Sequence, residues 1–196
     1  MSTALTAYGR QFVANKAMFS FLGAAFRIYG PEGNLRFFIK QKAFKLKEEI
    51  NVFADENQSD LKLVIKARSW ADFSGTYDVT DAASTEVVGS AKREGLKSML
   101  RDSWLVLKGD TQVAKVQEDS MIMALIRRFL FKGWIPQKFT VTGQGGEDLG
   151  FIRQRFNPFR LTYDVNFEAD KGGMLDPRMG VGLVVLLLAI EGRQNN

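Results

Sequence analysis

The chain has 196 residues, 45% of them apolar, with 27 Lys and Arg against 22 Asp and Glu for a formal charge of +5. A chain of this length can bury enough surface to fold as one domain, residues 1–196, without a disulfide or metal staple. It holds no cysteine and no histidine, which excludes disulfides, thiol nucleophiles, Cys/His metal centres and Ser-His-Asp triads, and agrees with a reducing, cytoplasmic setting.

Arg10 and Lys16 lead into an apolar run from Ala17 to Phe26. A basic start and a short apolar run also describe a secretory leader. This run is rich in Phe and passes straight into a turn, so it reads as a first strand. A series of hairpins follows, each a pair of Val-, Ile-, Phe-, Tyr- or Thr-rich runs split by turn residues. Phe26–Tyr29 and Leu35–Lys40 flank Gly30 to Asn34. Ile50–Phe53 and Leu61–Ala67 are joined around Asp55-Glu56-Asn57. Tyr77–Val79 and Glu86–Lys92 follow, then Trp104–Leu107 and Gln112–Val116 about Gly109-Asp110. Phe139–Thr142 and Leu149–Arg153 flank Gly143 to Gly146, and a last strand runs from Leu161 to Phe167. Leu61, Leu63 and Ile65 alternate with Lys62 and Lys66, the period of a half-buried strand. The hairpins recur at a roughly even spacing, which suggests an internal repeat. Short, regular strands without alternating helices predict an antiparallel barrel or sandwich.

Two segments break the pattern. Ser120 to Lys132 (SMIMALIRRFLFK) follows acidic Glu118 and Asp119, carries Arg127, Arg128 and Lys132 late, and precedes Gly133. That order predicts an inserted helix, lying across the barrel or on a membrane interface. Met179 to Ile190 (MGVGLVVLLLAI) is apolar on every side, with Asp176 as cap, Pro177 at the first helical position and Glu191-Gly192 at its end. A helix apolar all round is buried all round, and this one is too short to span a bilayer. It therefore belongs inside the sheet, where Gly180 and Gly182 let the wall approach closely.

Phe38 to Leu46 (FIKQKAFKL), Ile50 to Asp55, Phe159 to Phe167 and the terminal Gly182 to Glu191 together resemble the LURP-one-related proteins, relatives of the tubby C-terminal-like proteins and phospholipid scramblases. The resemblance spans about Phe26 to Glu191. It implies a mainly β fold, a closed barrel of roughly twelve antiparallel strands around a buried C-terminal helix. Ser120 to Lys132 stands out as an addition. Scramblases carry a long proline-rich N-terminal region that this sequence lacks, so scramblase activity is not carried over. Tubby implies phosphoinositide binding, but its headgroup-binding residues find no match here.

Catalytic motifs are absent: no GxSxG elbow and no P-loop Lys-Ser/Thr occurs, and no cofactor is implied. Gly143-Gln144-Gly145-Gly146 sits in a hairpin and opens no helix, so it reads as a turn. The charges are ordered along each hairpin. Tips carry Asp55, Glu56, Asp60, Asp81, Glu86, Asp110, Glu147 and Asp148, residue types that turns also select for local hydrogen bonding. Outgoing strand ends carry Lys40 and Lys42, Lys66 and Arg68, Lys92 and Arg93, Arg153 and Arg155. If the repeats run in one sense, these cations gather at one rim beside Phe44, Trp70, Phe156 and Phe159, joined by Arg127 and Arg128 from the inserted helix. Such a rim suits an anionic phospholipid or phosphoinositide surface, which makes the protein a non-enzymatic, peripheral membrane module. The competing expectation is a solvated rim on a protein-interaction or structural scaffold, with Ser120 to Trp134 as the docking face. The modest charge does not call for nucleic acid.

Overall fold

The computed structural model describes residues 8–17, 24–41, 49–68, 75–94, 103–119, 136–157 and 160–194. Twelve strands precede one helix among them. They are β1 (Gln11–Ala17), β2 (Ala24–Tyr29), β3 (Leu35–Gln41), β4 (Ile50–Phe53), β5 (Leu61–Ala67), β6 (Thr76–Asp81), β7 (Val87–Arg93), β8 (Ser103–Lys108), β9 (Thr111–Glu118), β10 (Lys138–Gly143), β11 (Asp148–Arg155) and β12 (Arg160–Asn166). Each strand pairs antiparallel with its neighbours in sequence. β1 then pairs with β12, from Gln11 opposite Asn166 to Ala17 opposite Arg160, and the sheet closes into a barrel. Closure removes both sheet edges, which a long open sheet would have to protect.

The helix α1 (Pro177–Gln194) threads the barrel. Asp176 caps it, its carboxylate accepting from the Arg178 amide at 2.9 Å while its carbonyl accepts from Gly180 at 3.0 Å. Every residue from Met179 to Ala189 is buried, as expected of a helix with no polar face. Strand residues of one parity meet it: Phe12, Phe26, Ile28, Leu63, Ile65, Val79, Val106, Val116, Phe139 and Ile152 are all buried. Lys62, Lys66 and their like point outward. The wall comes close where the helix lacks side chains. A Cβ on Gly182 would lie 2.7 Å from Val79 Cγ2, and one on Gly180 would lie 2.8 Å from the Phe167 ring.

The structure departs from the sequence reading in two elements. The first strand is Gln11–Ala17, and Ala24 to Tyr29 form the second, so the proposed strand from Ala17 to Phe26 covers the end of one and the start of the next. Its Phe-rich composition outweighed the weaker alternation of Gln11 to Ala17, where Phe12 and Ala14 face in and Asn15 faces out. The helix also runs past Glu191-Gly192 to Gln194; a single glycine costs a helix only about 1 kcal/mol, too little to stop it alone. The helix proposed at 120–132 lies outside the described residues.

Candidate functional site

In an antiparallel barrel wound in sequence order, alternate connections fall at opposite ends. The β2–β3, β4–β5, β6–β7, β8–β9 and β10–β11 turns share one end with the link from β12 to α1. This end collects the acidic tips, and much of their charge is used locally. The Asp55 carboxylate accepts from the Ser59 hydroxyl at 3.0 Å and the Asp60 amide at 3.0 Å. Asp81 accepts from the amides of Ala83 and Ser84, each at 3.0 Å. Glu147 accepts from the Gly145 amide at 3.0 Å and Asp148 from the Gly150 amide at 2.9 Å. These are turn-building bonds, and no group of acidic residues among those described is arranged to hold a metal ion.

The same end also closes over the helix, where the foreseen cap Asp176 and tips Asp81 and Glu86 meet Arg178, which with Tyr8 and Asp170 the sequence reading does not single out. Arg178 reaches Asp176 at 2.7 Å, Asp81 at 3.1 Å and Glu86 at 3.5 Å. Burial pushes the Asp81 carboxyl up, and bonds from the Ser84 amide, Arg178 and the Ala83 amide more than offset it, holding Asp81 below the usual carboxylate range. Tyr8 is buried beside this cluster with its ring 5.1 Å from that of Phe37. Burial, then the Asp81 charge, push its phenol up to about 12. Asp170, also buried, accepts from the Met174 and Leu175 amides at 2.9 Å and pairs with Arg10 at 3.2 Å, fixing the turn into α1. One signal of the cluster was legible: a cation in the first turn of a helix opposes the dipole and needs carboxylates close by.

The opposite end carries the proposed basic rim. Lys40, Lys66 and Lys92 are exposed and make no ion pair among the described residues. The arginines are engaged. Arg68 donates to Asp78 at 2.7 Å and to the Ser90 hydroxyl at 2.9 Å, and that hydroxyl donates to Asp78 at 2.6 Å. Arg155 donates to Asp164 at 2.8 Å, with Arg153 3.8 Å from the same carboxylate. Arg93 shares the inward parity of Ala91, and its guanidinium lies 6.0 Å from the Trp104 ring, so it lines the mouth of the barrel while Lys92 faces out. Lys138 pairs with Asp119 at 2.9 Å. Lys16, not foreseen, lies 5.2 Å from the Phe26 ring at the same mouth. Of the rim aromatics, Phe156 is exposed. Lys42, Arg127, Arg128, Phe44, Trp70 and Phe159 lie outside the described residues. No helix among the described residues is long and apolar enough to cross a membrane.

A family model described as LURP-one-related matches residues 35–188. The curated proteins gave no significant match. The matched span begins at β3 and ends within α1, so it takes in ten of the strands and most of the central helix.

Proposed function

The chain belongs to the LURP-one-related family, and from that premise we propose that it is a non-enzymatic barrel module that binds anionic phospholipid or phosphoinositide at its basic end. The observation that carries this reading is that Lys40, Lys66 and Lys92 are exposed together at one end of the barrel and outside any ion pair among the described residues, while the acidic hairpin tips lie at the other end. A barrel so polarised approaches a negative surface with one end first, since each lysine near such a surface is worth about 1 kcal/mol. The paired arginines Arg68, Arg153 and Arg155 contribute less, because each already shares a carboxylate. Their role is to hold the rim, while the three lysines supply uncompensated charge. The lumen is filled by α1, so the headgroup would be met outside the barrel and not within it.

Vesicle sedimentation tests the proposal. The chain is expected to pellet with phosphatidylserine or phosphoinositide vesicles at low salt, to be released as ionic strength rises, and to stay in solution with phosphatidylcholine alone. The variant Lys40→Glu, Lys66→Glu, Lys92→Glu should lose pelleting while keeping its thermal midpoint. Equal pelleting of the variant, or none by the native chain at any salt, rules the proposal out.

A further inference from the structure

The barrel wall has one weak seam. β3 and β4 share a single ladder position, Phe38 opposite Phe53. Lys40 and Gln41 on one strand and Ile50 and Asn51 on the other continue beyond it with no pairing between the two among the described residues. Every other neighbouring pair is tied at four or more register positions, in β4–β5 with a bulge before the fourth. Side chains do at this seam what the backbone does elsewhere. Arg27 on β2 reaches over β3, its guanidinium 5.4 Å from the Phe38 ring, and donates to Glu56 in the β4–β5 turn at 2.7 Å and 3.3 Å. That ion pair is exposed on both partners, so water and salt compete for it.

The central helix lies closest to the wall on one side of this seam. Its backbone runs nearest β5, β6 and β7. Gly182 lies against Val79 of β6, Met179 against Gly89 of β7, and Arg178 is bonded to Asp81 at the end of β6. The strands β1 to β3 are held instead through the β1–β12 ladder and, beside it, the Arg10–Asp170 pair. The geometry points to a barrel that opens by parting β3 from β4, with Arg27–Glu56 as the clasp. β1, β2 and β3 swing away as a flap, and α1 stays seated on β5 to β7 with one flank uncovered. This inference stands apart from lipid binding and holds whether or not that reading does.

Hydrogen exchange on the full chain, followed peptide by peptide, tests it. Amides of β3 and β4 are expected to exchange together and ahead of those of β8 to β11, through an opening smaller than global unfolding. Glu56→Gln, which keeps the side-chain shape and removes the charge, should speed exchange in β3 and β4 about two- to five-fold and leave β9 to β11 unchanged. A second variant, Phe38→Cys with Phe53→Cys, joins facing residues at a separation that suits a disulfide, in a chain with no other cysteine. Oxidised against reduced, so that the loss of two rings cancels, it should slow β3 and β4 at least about ten-fold. The same bridge across β5 and β6, Val64→Cys with Thr80→Cys, should give no selective slowing there. Uniform acceleration by Glu56→Gln, first exchange at the β1–β12 ladder, or no effect of the Phe38–Phe53 bridge overturns the inference.

Discussion

Arg178 sits where the helix dipole is unfavourable to a cation, and three carboxylates hold it there. Its side chain is 14% exposed and that of Asp81 15%, so removing one partner strands the other in poor solvent. Arg178→Met is expected to lower unfolding free energy by about 2 kcal/mol, read as a shift of the urea midpoint at unchanged slope. The same contact makes stability depend on pH. Asp81 is held below its ordinary range, so its contribution is complete above the unfolded carboxylate value of about 4 and is lost as pH falls through the folded value. The stability gap between the native chain and Asp81→Asn should therefore narrow in acid. Tyr8 works at the other extreme. Its phenol is pushed up to about 12, so its contribution is complete below about pH 10 and is lost as pH rises toward the folded value. Tyr8→Phe should unfold less steeply between those limits, followed by circular dichroism; an identical alkaline limb in both proteins would contradict the burial of that ring.

The cap of α1 was legible in Asp176-Pro177, and its burial in the unbroken run of apolar residues. So was the parity of most strands, because Leu63 and Ile65 against Lys62 and Lys66 leave no other face for the core. What stayed hidden was partnership. Asp78 and Asp164 neutralise Arg68 and Arg155 from adjacent strands, and strand register is not written in either sequence run alone. Arg93 is a different case, since period two from Ala91 turns it inward although it stands next to outward Lys92, and that parity is written in its own strand. At the helix surface the sequence did carry the packing: Gly180 and Gly182 mark close approach, and the wall is there. Gly182→Ala is a direct test because two effects oppose. Alanine gains about 1 kcal/mol of helix propensity, yet its Cβ would lie 2.7 Å from a Val79 methyl on a stiff, β-branched side chain. Overpacking of that kind costs about 1–3 kcal/mol, so the expected net change in chemical denaturation is a loss. Pairing it with Val79→Ala should recover more stability than Val79→Ala alone would predict from additivity.

At the scale of the molecule, sheet and helix are not separable. The strands turn their inward side chains onto α1, and α1 offers no polar side on which to rest in water. Burying its residues from Val181 to Ala189 is worth very roughly 10–20 kcal/mol gross, as large as the whole net stability of a domain, about 5–15 kcal/mol. A chain ending at Asp176 therefore keeps every strand and turn but loses the core they close upon. It is expected to give collapsed β structure without fixed packing: far-UV circular dichroism retained in part, near-UV signal lost, and amide resonances poorly dispersed. A well-dispersed spectrum from that truncation would mean the barrel can pack upon itself, and α1 would then be a passenger of the fold instead of its centre.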